Sequence, residues 1–314
     1  MALLASLKGA RLPRRPARPR LSRPPSRLAV LTWTLTVAAL GGAVASSLFG
    51  PGYGVSALVT TGPAEASAEI EPHEAPPAAT LIDPTEFRRP APPADGRPRV
   101  AIIVRGLGLS KAATAQAVAD LPADVTLALN AYGRNLQHDS DAARADGHEV
   151  FLDVPVEPKG YPANDSGPEA LLTSLSAGEN SERLQWALGR FIGFPGLVFA
   201  PGSPALESAA TLSLLFDGQA LKGLVWAHAT AKGFDDAKIE TATATITIEP
   251  GASADDVDSA LERLEGAARK GGAALAIVGP APVTLERLKA WTVALEDKGI
   301  VLVPASALAV TPAS

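Results

Sequence analysis

Residues 100–110, VAIIVRGLGLS, indicate a strand followed directly by a helix, because an unbroken apolar run precedes a helix start. Five consecutive apolar residues, 100–104, are typical of a strand that is buried on both faces. Ser110 is a favourable N-cap residue, and the sequence from there to Leu121 predicts a helix. A buried strand joined to a helix by a short loop is the repeating unit of an α/β fold with a parallel sheet.

The same alternation of strand and helix continues to the end of the chain. Further strands are predicted at 125–129, 149–154, 196–200, 223–227, 243–248, 273–278 and 300–303. Further helices are predicted at 134–146, 179–192, 203–216, 253–270 and 283–298. This rhythm across residues 98–310 predicts a distorted (β/α) barrel of seven or eight strands, with an open doubly wound sheet as the alternative.

The first 97 residues have a different composition. Residues 1–27 contain eight Lys and Arg and no acid, and the 22 residues of 28–49 carry no charge. Such an apolar run can cross a bilayer, and the basic residues before it favour the cytoplasmic side. We expect a basic cytoplasmic segment at 1–27, one transmembrane helix at 28–50, and a disordered Pro- and Ala-rich linker at 51–97. A signal peptide cleaved after 43–45 is the alternative.

The composition limits the cellular compartments and the classes of partner that we expect for this chain. The orientation above predicts a single-pass inner-membrane protein whose domain, residues 98–310, lies in the periplasm. The chain has no Cys, which excludes disulfides, thiol catalysis and Cys-bound metals. Its net charge is −5 and its acid-free basic cluster at 1–27 lies beside the apolar run, so we expect no nucleic-acid partner. An envelope glycan or an envelope protein fits this location better.

Candidate functional residues lie where the predicted strands end, because barrel sites are built at the carboxyl ends of their strands. The loop after the third strand is the one rich in acids. The candidate binding residues at these ends are Arg105, Asp153, Glu157, Asn164, Asp165 and His228. His148 instead precedes the third strand, so it should lie at the opposite end and have a structural role. His138 lies among acidic residues on a helix and should be solvated.

Two interpretations of the acidic loop are open. Asp153, Glu157 and Asp165 could supply a general acid or base, or oxygen ligands for a metal. However, the sequence NDSGP at 164–168 is strong turn chemistry and favours a turn-capping role for Asp165. Glu157 lies between two prolines and fits either role.

Several blocks resemble the divergent polysaccharide deacetylase family. The blocks are GHEVFLDVPVEP at 147–158, YP at 161–162, NDSGP at 164–168, LLT at 171–173, ENSERLQW at 179–186, PVTLERLKAW at 282–291 and GIVLVPASA at 299–307. The resemblance extends over about 99–308. It implies a distorted β/α barrel of the bacterial envelope in which a divalent metal activates water to remove acetyl groups from sugars.

The resemblance also implies metal-binding positions, and here their residue types have changed. The family's paired Asp after the first strand corresponds to Arg105 and Gly106. Its His after the fourth strand corresponds to Ala200, and the His of a later Gly-His-Pro motif corresponds to Gly279. A fixed cation at Arg105 opposes cation binding. We therefore expect no metal or other cofactor.

Three functions follow from these residues. The first is an anchored, enzyme-derived module that binds an envelope glycan or protein, with Arg105 meeting an anionic group or pairing with Asp153 or Glu157. The second is an active carbohydrate deacetylase whose rearranged acid-based site uses Asp153, Glu157, Asp165 and His228. The third is a purely structural envelope factor.

Overall fold

The computed structural model describes residues 83–217, 221, 224–229 and 239–310. The expected cytoplasmic segment, the transmembrane helix at 28–50 and the linker as far as residue 82 lie outside these ranges. Within them, no helix is both long and apolar enough to cross a membrane.

Strands and helices alternate along the described chain. The strands are β1 Arg99–Leu107, β2 Thr126–Asn130, β3 Val150–Val154, β4 Gly196–Phe199, β5 Val225–His228, β6 Thr241–Thr243, β7 Ile246–Ile248, β8 Ala273–Val278 and β9 Val301–Leu302. The α-helices are α1 Lys111–Asp120, α2 Leu136–Ala145, α3 Ala177–Leu188, α4 Ala209–Asp217, α5 Ala254–Gly271 and α6 Pro282–Val293.

All strand pairs within the sheet are parallel, in the order β6-β5-β4-β3-β2-β1-β8-β7, and β9 pairs with the start of β1. The two edge strands, β6 and β7, are consecutive in the chain and only residues 244–245 separate them. Two linking residues span at most about 11 Å, so the edges must approach each other there. The sheet is therefore curled into a barrel-like form, as the α/β prediction required.

Most predicted elements are present with shifted ends, such as the helices predicted to 192 and 298 that end at Leu188 and Val293, and two predicted elements are divided. The expected strand at 243–248 is divided into β6 and β7, because the chain leaves β5 and joins β8 at this point. The expected helix at 203–216 is divided at Ser208, whose extended backbone separates a 3₁₀ turn at Pro204–Glu207 from α4. The main path of the sheet contains eight strands.

Side-chain caps fix several helix starts that the sequence predicted. The Ser110 hydroxyl accepts a hydrogen bond from the Ala113 amide at the start of α1. At the start of α5, Ser253 and Asp256 form a reciprocal capping box. Caps of this kind satisfy amides that have no partner within the helix.

Part of the predicted linker contacts the domain. Residues 84–87 form a 3₁₀ turn, and Arg89 follows shortly after it. The Arg89 Nε donates to Asp124 at 2.8 Å, and its Nη1 donates to the Gly147 carbonyl at 2.7 Å. These contacts join the segment upstream of β1 to the end of the barrel where β3 begins.

Candidate functional site

An irregularity at the end of β1 places the Arg105 side chain and the Gly106 amide within hydrogen-bonding distance of Asp153 on β3. The pairing register with β2 shifts between Val104 and Leu107, and Gly106 lies in the left-handed region with φ 79°. Glycine adopts this conformation without the Cβ strain that other residues suffer. The Gly106 amide consequently donates to Asp153 Oδ2 at 3.0 Å.

Asp153 has no exposed surface, and each of its carboxylate oxygens is hydrogen-bonded. Oδ1 accepts from Arg105 Nη2 at 2.8 Å and from Arg105 Nε at 3.3 Å. Oδ2 accepts from the Gly106 amide and, at 3.4 Å, from Asn130 Nδ2. The ion pair between Arg105 and Asp153, one of the pairings that the sequence suggested, is thus confirmed. A buried carboxylate needs such partners to offset its lost hydration.

This arrangement does not suit the divalent metal that the family resemblance implies. A hard cation needs several free carboxylate or His ligands, but the Asp153 oxygens are taken up by a guanidinium and two N–H donors. The other positions matched to the family's ligands, Ala200 and Gly279, have no ligating side chain. In the part of the chain that the structure describes, no three His, Asp or Glu side chains cluster as metal ligands would.

The acidic loop after β3 uses its polar side chains locally. Glu157 Oε2 accepts from the Thr173 amide at 2.6 Å and from its hydroxyl at 2.7 Å. Asp165 Oδ1 accepts from the Gly167 amide at 2.8 Å, which confirms the turn-capping interpretation. Asn164 Nδ2 donates to the Lys159 carbonyl at 2.9 Å. No hydrogen bond or ion pair between described residues joins Glu157 or Asp165 to Asp153.

The three described histidines lie in different parts of the fold. His228 is the last residue of β5 and is buried, and the chain beyond residue 229 passes outside the described residues. His148 is buried at the opposite end of the barrel, where its Nδ1 lies 2.9 Å from the Val125 carbonyl, so its predicted structural role is confirmed. His138 is on α2 with a side chain 84% exposed, as expected for a solvated residue.

Sequence reasoning missed a pair of packed aromatic rings, Tyr132 and Trp186, which we call the aromatic wall. The Tyr132 ring lies against Trp186, with ring centroids 5.1 Å apart, and its hydroxyl accepts from the Glu169 amide at 2.6 Å. A Cβ added to Gly167 would lie 2.7 Å from the tyrosine hydroxyl, so the loop packs closely on the ring. Burial raises the pKa of Tyr132 above its usual value. The available signal was the position of Tyr132 two residues after β2.

Arg190 and Asn130 hold this wall in place. The Arg190 guanidinium lies over the Trp186 ring, 5.2 Å from its centroid, and donates to the Ala131 and Gly133 carbonyls at 2.8 and 3.1 Å. Asn130 accepts from the Tyr132 amide at 3.0 Å with the same side chain that donates to Asp153. The loop after β2 is therefore held by hydrogen bonds with Arg190 and with Asn130.

A groove of about 710 Å³ lies beside this wall, between the loops that follow β1 and β2. It is lined by Gly108, Leu109, Lys111, Tyr132, Arg134, Asn135, His138 and Asp139. The position at the carboxyl ends of two neighbouring parallel strands is the usual place for a ligand site in such sheets.

Comparisons with known proteins agree with this fold. A family model described as divergent polysaccharide deacetylase matches residues 102–309. The crystal structure of an uncharacterized protein from Agrobacterium tumefaciens C58 is similar, with a TM-score of 0.66 and 29% identity, covering 74% of this chain and 97% of that chain.

A second structure is more distant. It is a protein from Enterococcus faecalis V583 whose assignment to cellobiose-phosphate cleavage is itself provisional. Its TM-score is 0.49 at 11% identity, covering 68% of this chain and 100% of that chain. No curated protein matches the sequence.

Proposed function

Because the chain belongs to the divergent polysaccharide deacetylase family, we propose that it binds an envelope carbohydrate at the carboxyl end of its sheet without metal-assisted hydrolysis. The main observation behind the non-hydrolytic part of this proposal is the set of hydrogen bonds made by the buried Asp153 carboxylate. Its carboxylate is buried and bonded to Arg105, Gly106 and Asn130, so it offers no free oxygen to a cation or a water nucleophile. Cation-assisted deacetylation needs such an oxygen.

An open groove with an aromatic side chain supports the binding half of the proposal. Tyr132 lines the groove, and its ring is held by Trp186 and Gly167 rather than free to turn. A rigid aromatic ring offers apolar contact to a sugar face at little entropic cost. The alternative of a rearranged acid-based deacetylase gains no support, because Glu157 is hydrogen-bonded to Thr173 across the loop and Asp165 caps a turn.

The cellular setting of the proposal comes from the N-terminal sequence. We propose that residues 28–50 anchor the chain in the inner membrane and that the domain faces the periplasm, where envelope glycans and envelope proteins are the accessible partners. A shorter mature form in the soluble periplasmic fraction would contradict the anchor.

Binding of tetrasaccharides to the full chain tests the proposal. Calorimetric titration with tetramers of N-acetylglucosamine and of galacturonic acid is expected to give saturable binding to at least one of them, without release of acetate from the acetylated tetramer. Tyr132→Ala should weaken that binding about tenfold or more, since it removes the ring that the sugar would contact.

The control variant is Tyr161→Ala. Tyr161 is an exposed aromatic residue on the acidic loop and does not line the groove, so its loss should leave the affinity within about twofold of the wild type. No binding of either tetramer, or equal losses in both variants, would contradict a carbohydrate site at Tyr132. Acetate release that depends on added metal would contradict the non-hydrolytic part.

A further inference from the structure

The groove beside Tyr132 carries two cations that have no carboxylate partner among the described residues. Lys111 begins α1 and Arg134 precedes α2, and both side chains line the groove from exposed positions. The ion pairs formed by described residues include neither of them. Some of the other described Lys and Arg side chains are paired with a carboxylate, as Arg105 is with Asp153, and others, such as Arg99 and Lys159, are in no such pair.

The balance of charge in the groove is positive. Asp139 is the one carboxylate among its lining residues, and it lies 3.4 Å from the His138 ring. Lys111 and Arg134 together therefore exceed the acidic charge in the groove. The amides at the start of α2 add partial positive charge, since the side chain of Asn135 makes no capping hydrogen bond.

The floor of the groove is rigid. The backbones of Gly108 and Gly133 are in close contact, and a Cβ on Gly133 would lie 3.0 Å from the Gly108 carbonyl oxygen. The Gly133 carbonyl is in turn held by Arg190. This contact fixes the main chain next to Arg134, while the exposed Lys111 and Arg134 side chains lose rotamer freedom when a ligand binds.

We propose that this groove recognises a carboxylate-bearing sugar of an acidic glycan, a proposal that rests on the carbohydrate-binding function and specifies its ligand. The planar guanidinium of Arg134 matches a carboxylate in a two-point contact, while Lys111 supplies a point charge. The Tyr132 ring and the exposed Leu109 side chain provide apolar surface for the sugar ring. The Arg105 guanidinium is already engaged by Asp153 and is not part of this recognition.

Titration of the full chain with a galacturonic acid tetramer and with its methyl ester tests the proposal. The two probes share one backbone; esterification removes the negative charges and adds a methyl group to each carboxylate. The acid is expected to bind at least about tenfold more tightly than the ester in dilute salt, and the difference should shrink as salt is raised. The double variant Lys111→Ala/Arg134→Ala should lose this preference for the acid while still binding the ester.

The matched control is Arg263→Ala/Lys270→Ala. These two cations lie on α5, are exposed, and form no ion pair with a described residue, so the variant has the same change in net charge away from the groove. It should keep the wild-type preference for the acid. Equal losses in both double variants would mean general charge attraction and would overturn the assignment.

The remaining outcomes separate this inference from the function on which it rests. Equal binding of acid and ester would overturn the acidic-sugar assignment and leave carbohydrate binding standing. Binding of neither would overturn this inference. The carbohydrate function would fall with it only if the N-acetylglucosamine tetramer also failed to bind. Inorganic phosphate that competes as well as the uronate at equal ionic strength would show an anion site without preference for a sugar acid.

Discussion

Arg105→Ala is expected to lower the free energy of unfolding by about 3 kcal/mol or more, because it leaves the Asp153 carboxylate buried without its counter-charge. Asp153 is fully buried, and the Arg105 side chain that pairs with it is only 25% exposed. Gly106 and Asn130 would remain as donors, but neither carries a charge. Urea unfolding of the full chain, followed by circular dichroism, measures the difference.

Two further variants make the stability result specific. Arg97→Ala removes an ion pair with Asp95 whose side chains are 47% and 45% exposed, so it should cost about 1 kcal/mol or less. Arg105→Ala/Asp153→Asn removes both charges and should be more stable than Arg105→Ala alone. A loss below about 1 kcal/mol for Arg105→Ala would mean that solvent reaches Asp153 and that its carboxylate is not locked.

Glu149 is expected to make the wild-type domain less stable as the pH rises from the acidic range. It lies at the start of β3 with 1% of its surface exposed, and burial raises its pKa although several donors lower it. The Thr126 hydroxyl and the Ser306 amide donate to Oε2 at 3.1 and 3.2 Å, and the Ser306 hydroxyl donates to Oε1. These hydrogen bonds connect β2 and the 3₁₀ turn at Ala305–Leu308 to Glu149, which directly precedes β3.

The direction follows from proton binding. Between the unfolded pKa of about 4.5 and the raised pKa of the folded state, the folded protein holds more protons, so its free energy of unfolding falls as the pH rises. The slope from this one group approaches about 1.4 kcal/mol per pH unit in that interval. Glu149→Gln cannot ionise and should remove this group's contribution to the slope.

Urea unfolding of both proteins from pH 4 to pH 8 measures this effect. Glu262→Gln, a matched change at an exposed position of α5, should follow the wild-type curve. Parallel curves for wild type and Glu149→Gln would contradict the prediction, because they would mean that folding leaves the pKa of Glu149 unchanged.

Local chemistry made much of the fold predictable. Apolar runs such as 100–104 have the pattern of a buried parallel strand, and Ser110 and Ser253 mark helix starts by side-chain capping. The break at Ser208 was not predictable, because residues 203–216 read as one continuous helix and the extended backbone appears only in the structure. The division of 243–248 depends on which neighbouring strands it meets, which no local pattern records.

The candidate site was predictable to a smaller extent for the same reason. Arg105 and Asp153 could be placed at the carboxyl ends of β1 and β3, which made their pairing one of the options. These strands are separated by β2, so the contact between the two side chains is seen only in the structure. The contact of Tyr132 with Trp186 joins the loop after β2 to α3, which are far apart in sequence, and it required the tertiary structure. The sequence also could not show that Lys111 and Arg134 lack a carboxylate partner among the described residues, because this depends on which side chains lie near them in space.

We propose that the Arg105–Asp153 ion pair takes the place of a metal ion at the ends of β1 and β3. The most direct measurement is the number of ions held by the full chain after dialysis against zinc, nickel, manganese or magnesium and gel filtration. We expect no more bound ion in the wild type than in Asp153→Asn. One tightly held ion per chain that is lost in Asp153→Asn would contradict the claim, because it would mean that the cation displaces Arg105 and takes the Asp153 oxygens.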